Sequence, residues 1–267
     1  VILGFSFFLS FNIAVSSPAE SDDIPDKELI KKYQRIILQE PSNLNAHFNL
    51  GILYYKNMHF DEALREFNKV LEINPNDSEA YYNLGNIFNK KSLFDDAVAS
   101  YKKALAIHPQ DAEVFHNLGN TYANKGMIDD AISAYRKAVE INPNLAESHK
   151  SIAYLYKKKG QISESVSSFE KATTFHPKDT NLLFDLASLY ESNGLQDNAI
   201  LTYNKLLSID PAHQGAKNSL AMLYNSKGVS LALQGKTDDA IAAYKDALQN
   251  KEDFKEAYNN LGAAYVD

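Results

Sequence analysis

The sequence predicts an all-α protein, an α-solenoid in which antiparallel helix hairpins wind into a right-handed superhelix. Two observations carry that prediction. Proline recurs at Pro41, Pro75, Pro109, Pro143, Pro177 and Pro211, each 34 residues after the last, and self-similarity at such a period marks a stack of two-helix units. A Leu/Ile–Gly/Ala pair keeps the same beat at Leu50-Gly51, Leu84-Gly85, Leu118-Gly119, Ile152-Ala153, Leu186-Ala187 and Leu220-Ala221. An aromatic follows each pair, at Tyr54, Phe88, Tyr122, Tyr156, Tyr190 and Tyr224. A small residue and a second aromatic complete the set at Ala63/Phe67, Ala97/Tyr101, Ala131/Tyr135, Ser165/Phe169 and Ala199/Tyr203.

Residues 1–15, VILGFSFFLSFNIAV, carry no charge and lead into Ser16, Ser17, Pro18 and Ala19. An apolar core followed by small residues is the pattern of a secretory signal peptide, and the run is short for a bilayer span of roughly 20 residues. Segment 1–19 is therefore read as a truncated signal peptide cleaved after Ser16 or Ala19, with a retained membrane anchor as the alternative. Residues 20–25 are a linker. Residues 26–43 read as a lone second helix, with Leu29, Tyr33 and Ile36 in the hairpin slots before Pro41, which would cap the first complete unit.

Full units follow at 44–77, 78–111, 112–145, 146–179 and 180–213. Asp77-Ser78 or Asp111 can cap a first helix by accepting free backbone N–H groups. Gly126, Gly160 or Gly194 can end it in a sharp turn. Acidic pairs such as Asp95-Asp96 and Asp129-Asp130 open the second helix, where carboxylates suit the positive end of the dipole. Proline then stops it. The sequon Asn76-Asp77-Ser78 reads as this same turn and cap.

After Pro211 the beat slips: Gly228, Ala240, Tyr244, Ala247 and Leu261-Gly262 fit a frame displaced by seven residues. Seven helical residues add about 10 Å of rise and only about 20° of phase drift. The spacing therefore predicts one long helix over 213–234, with a turn retained at Gly228 as the alternative. An extended unit at 214–254 and a partial unit at 255–267 complete the chain, which reads as a fragment at both ends.

The L-G-x-x-Y, A-x-x-x-F/Y and Pro positions resemble the tetratricopeptide repeat. That resemblance covers nearly everything after residue 25 and implies a solenoid that binds polypeptide on its concave surface. The first-helix slot often held by Trp in the family holds His47, Tyr81, Phe115, His149 and Leu183 here.

Composition narrows the chemistry. Zero Cys removes a disulfide scaffold, a zinc finger and a thiol nucleophile together. A net charge of −7, with Arg35, Arg65 and Arg136 the only arginines, argues against nucleic-acid binding, which needs a concentrated basic face. Gly235-Lys236-Thr237 ends like a phosphate-binding P-loop but lacks the earlier glycine, Ser230 standing there, and the preceding strand. The histidines show no metal-site spacing with a third ligand; His116 alone is expected on the concave side. The expectation is no enzyme, no cofactor and no metal.

Asn49, Asn83, Asn117 and Asn260 each precede the Leu-Gly pair. The placement resembles the asparagine ladder of O-linked N-acetylglucosamine transferases, in which amides hold an extended peptide backbone. An amide both donates and accepts, so it can grip main chain without demanding a sequence. The ladder lapses at Ser151, Asp185 and Ser219. Other family positions facing the groove hold Phe48, Tyr55, Tyr82, Asn86, Asn120, Lys150, Tyr154 and Phe184. The family's clamp for chaperone tails is incomplete, with Glu147 and Ser151 in the places of its basic residues.

The expected function is an exported scaffold that binds a protein or extended peptide. The alternatives are the substrate-docking arm of a longer enzyme, such as a glycosyltransferase, and an assembly factor held at a membrane by a retained N-terminal segment.

Overall fold

The computed structural model describes residues 25–266; the signal-peptide or anchor reading of 1–19 lies outside them. The described residues form fourteen α-helices and no strand. They fall into two compact units divided between Pro109 and Gln110. Unit 1 holds α1 (Asp26–Gln39), α2 (Leu44–Lys56), α3 (Phe60–Ile73), α4 (Ser78–Lys90) and α5 (Phe94–Ile107). Unit 2 holds α6 (Ala112–Asn124), α7 (Ile128–Ile141), α8 (Ala146–Lys158), α9 (Ile162–Phe175) and α10 (Thr180–Ser192). It continues through α11 (Gln196–Ile209), α12 (Gln214–Leu233), α13 (Thr237–Asn250) and α14 (Lys255–Ala264).

First helices are capped by side chains, except α8 after Leu145 and α14 after Phe254. Asn43 Oδ1 accepts from Ala46 N at 2.9 Å, Asp77 Oδ1 from Ala80 N at 2.8 Å, and Asp111 and Asp179 each accept from two N–H groups. Such a cap is worth about 1 kcal/mol. His213 fills the same role through Nδ1, which accepts from Ala216 N at 3.1 Å. Second helices have no side-chain cap in either unit. They begin after a left-handed residue, which is Met58 or Ser92 in unit 1 and Gly126, Gly160, Gly194 or Gly235 at φ between 72° and 77° in unit 2.

Packing explains the Gly/Ala position. A Cβ on Gly85 would lie 2.5 Å from the Tyr101 ring, and one on Gly119 would lie 2.7 Å from Tyr135. Both distances are too short for a side chain, so glycine lets the ring lie directly on the first helix. The tyrosine and phenylalanine rings received this way, Phe67, Tyr101, Phe169 and Tyr203, are fully buried. His47 holds its aromatic slot differently: Nε2 donates to Pro41 O at 3.0 Å while Nδ1 lies 2.6 Å from Glu66 Oε2. His149 likewise meets Pro143 O at 3.1 Å.

The seven-residue insertion is absorbed as helix. α12 has 20 residues where α10 has 13. Its first half keeps the old frame, burying Ala216, Leu220 and Leu223 in a cluster with Tyr203 and Leu206. Its second half serves the displaced frame. Gly228 is helical and buried rather than a turn, because a Cβ there would lie 2.5 Å from the Tyr244 ring.

Candidate functional site

The first-helix face of unit 1 is aromatic. Phe48 meets Phe67 edge-on at 5.6 Å, Tyr82 meets Tyr101 at 6.2 Å, and Tyr55 meets Phe60 at 5.9 Å. Burial, and secondarily the neighbouring Tyr82, pushes the Tyr55 phenol above its ordinary value. Burial pushes Tyr101 far higher. Among these rings, Asn49 Nδ2 donates to Asn45 O and Asn83 Nδ2 to Glu79 O, each at 2.8 Å. Asn49 is exposed and Asn83 half-buried, and one N–H of each amide is held by its own helix.

Asn86 has a different task. Its Oδ1 accepts the Tyr101 hydroxyl at 2.7 Å, and Asn120 Oδ1 accepts the Tyr135 hydroxyl at 2.6 Å in unit 2. These amides thus satisfy the polar tips of buried rings, which would otherwise lose a hydrogen bond on burial. Sequence spacing alone placed Asn86 and Asn120 on the ligand-facing side, and the structure adds this internal bond to each.

The corresponding face of unit 2 is polar. His116 Nδ1 lies 2.8 Å from Ser148 Oγ, and its ring stands 5.4 Å from Tyr135. Burial holds the His116 imidazole below its ordinary value. Asn117 Oδ1 takes a long contact from Asn120 Nδ2 at 3.5 Å. Lys150 is half-buried on the next first helix. Tyr154 stands edge-on to Phe169 at 5.1 Å and donates its hydroxyl to Asp185. Burial first, and then Asp185, raises the Tyr154 phenol well out of its usual range. Phe184 packs between Tyr203 and His213. Asn260 donates to Asn225 Oδ1 at 2.9 Å, so this amide bonds across to α12.

Sequence reasoning missed the His116–Ser148 and Tyr154–Asp185 contacts. Each joins residues roughly one repeat apart, and only the 34-residue register could have paired them. Gly235-Lys236-Thr237 forms the turn from α12 into α13, Gly235 at φ 73°. Among the described residues, no group of three or more His, Asp or Glu side chains could hold a metal. No described helix is long and apolar enough to cross a membrane.

Family models for the tetratricopeptide repeat match residues 44–77, 66–99, 112–145, 146–179 and 180–213, and a TPR repeat model matches 85–126 and 228–267. The chain belongs to the tetratricopeptide repeat family. No curated protein matches this TPR chain. Solved structures do. The C-terminal part of a TPR repeat-containing protein from Cytophaga hutchinsonii is 18% identical over 88% of this chain and 94% of its own, with a TM-score of 0.65. YrrB, described as a TPR protein with an unusual peptide-binding site, is 22% identical over 70% of this chain and 96% of its own, with a TM-score of 0.57. MamA is 28% identical over 57% of this chain and 89% of its own, with a TM-score of 0.54. At their identities the first two establish likeness of fold. The second TPR model match begins at Gly228, the glycine that opens the displaced frame.

Proposed function

We propose that this TPR chain is a protein-interaction scaffold, exported from the cell that makes it, which binds extended polypeptide along the faces of its first helices. The observation that carries the reading is the pair Asn49, exposed, and Asn83, half-buried, set one repeat apart among the rings of Phe48, Tyr55 and Tyr82. Aromatic surface supplies contact area, and amides supply backbone hydrogen bonds that need no particular sequence. The peptide-binding site named in the description of YrrB, a protein of similar fold, supports the same class of ligand. Export rests on segment 1–19, and a precursor expressed in its native host should yield a mature N-terminus between Ser17 and Glu20.

The direct test uses peptides selected from a random library on the intact chain. Replacing Asn49, Asn83 and Asn117 together with Ala should weaken binding. Each neutral hydrogen bond contributes roughly 0.5–1.5 kcal/mol, so three losses correspond to about tenfold to a thousandfold in Kd. Neighbouring effects are not additive, which favours the lower half of that range. A lowered melting point with unchanged affinity would assign the amides to the fold alone.

A further inference from the structure

Unit 2 contains a second polar site, away from the first-helix residues described above. A cleft of about 330 Å³ opens between α7, α8 and α9, with Arg136 on α7, Tyr156 on α8, and Ser163, Ser167 and Lys171 on α9 among its lining. Its apolar floor comes from Val139 and Ile152, and the adjoining hollow adds Phe175. We infer that this cleft binds a phosphate monoester, with Arg136 and Lys171 supplying the charge and Tyr156, Ser163 and Ser167 the remaining donors.

In three units a first-helix tyrosine hydroxyl bonds the second-helix residue twenty positions earlier. Gln34 Nε2 donates to Tyr54 Oη at 3.0 Å, Tyr190 donates to Glu170 Oε1 at 2.6 Å, and Asn204 Nδ2 donates to Tyr224 Oη at 3.2 Å. Tyr156 stands in that register from Arg136, and no hydrogen bond joins them. Arg136 and Lys171 both lack a carboxylate partner. Of the acids nearby, Glu140 pairs with Lys137 at 2.8 Å, and Glu164, which lines the cleft, accepts from Gln161 Nε2 at 3.1 Å.

His149 adds no charge to compete with an incoming anion's partners, since burial holds its imidazole below the ordinary value and its ring stacks on Phe175 at 5.6 Å. The cleft therefore gathers two cations and three hydroxyls around a single carboxylate, that of Glu164. Arginine grips two oxygens of one oxyanion through its planar fork, and lysine adds a point charge. Three hydroxyls beyond those cations are more than the two oxygens of a carboxylate can use, and they suit the three terminal oxygens of a phosphate ester. The floor of Val139, Ile152 and Phe175 suits its carbon stem.

The same cleft two repeats earlier, in unit 1, provides a built-in contrast. There Asn68, Phe88 and Ala99 stand in the register of Arg136, Tyr156 and Ser167. Lys103, in the register of Lys171, lies over the Tyr81 ring at 5.2 Å. There the one lysine is already occupied, and no arginine lines the cleft.

Calorimetric titration of the full chain at low salt and pH 7.5 tests the proposal. The probes are phenyl phosphate and a phosphoserine hexapeptide, which separate a small ester from a phosphorylated protein segment, with benzoate as a carboxylate control. Saturable one-to-one binding of either phosphate probe, tighter than benzoate, is expected. R136Q/K171Q should weaken it at least tenfold, as the loss of two charge-assisted contacts implies, and K103Q should leave it unchanged. S167E, which places a second carboxylate in the cleft beside Glu164, should abolish it, with melting curves confirming that each variant is folded. Absence of saturable binding, equal affinity for benzoate, or equal weakening by K103Q would overturn the assignment.

Discussion

Between first and second helices, unit 1 places Met58 at φ 63° and Ser92 at φ 59° where unit 2 places Gly126, Gly160 and Gly194 at φ 72–77°. The backbone turn is the same and the residues are not. The close crossing varies in the other direction. Unit 1 uses Gly51 and Gly85 beneath Phe67 and Tyr101, whereas unit 2 uses Gly119 and then Ala153 and Ala187. On the first-helix faces, rings dominate unit 1, and His116, Lys150 and the Tyr154–Asp185 pair mark unit 2. A repeat thus dictates which contacts are made and leaves each unit to satisfy them with its own chemistry. Where strain is tolerated in one unit, it should be relievable there and inducible in the other.

The largest effect should come at the glycine crossings. Gly85→Ala in unit 1 and Gly119→Ala in unit 2 each force a Cβ into a tyrosine ring, and overpacking of this kind costs about 1–3 kcal/mol. The exposed Lys102→Ala should change stability by less than about 0.5 kcal/mol. Chemical denaturation of the three variants checks this, and matching midpoints would mean that the rings move aside freely.

The turns should respond more weakly and with opposite signs in the two units. A left-handed conformation costs a residue with a Cβ roughly 1–2 kcal/mol, partly offset by the greater freedom of glycine in the unfolded chain. Met58→Gly and Ser92→Gly should therefore stabilise unit 1 by about 0.5–1 kcal/mol. Gly126→Ala should destabilise unit 2 by a similar amount. Hydrogen exchange resolved along the chain would read each change in its own unit.

The smallest effect is that of acid on unit 2. His116 and His149 are both held below the ordinary histidine value by burial. The folded state then binds fewer protons than the unfolded one, so their contribution is complete above about pH 6.5. It is lost as pH falls through the lowered folded values. Exchange protection of α6 and α8 should weaken between pH 7 and pH 5, and His149→Gln should flatten that dependence.

Helix positions were legible because their determinants are local. Asp77 and Asp111 cap where a short polar residue precedes an apolar stripe, and glycine marks the left-handed turn wherever it is present. Met58 and Ser92 carried no such signal, and only their register with Gly126 reveals the turn. On the candidate site, the repeat register was sufficient to set Asn49 and Asn83 one unit apart on successive first helices. It was insufficient for Asn86 and Asn120, whose bonds to Tyr101 and Tyr135 depend on how a ring from the second helix lies across the first.

The acidic pairs divide the same way. The sequence assigns Asp129 to the start of a helix, where a carboxylate meets the dipole, and in the structure Asp61 and Asp197 hold the same position. The fold gives each a second partner thirty residues on, in Lys91, Lys159 and Lys227. By itself the sequence determined the period, the helices, their caps and the need for small residues at each crossing, because backbone geometry and adjacent side chains suffice to specify those. Tertiary structure decided which polar groups were consumed within the solenoid and which were left over, Arg136 and Lys171 among them. Satisfaction of a donor depends on the direction of side chains from helices a full repeat apart, and no local rule along the chain encodes that direction.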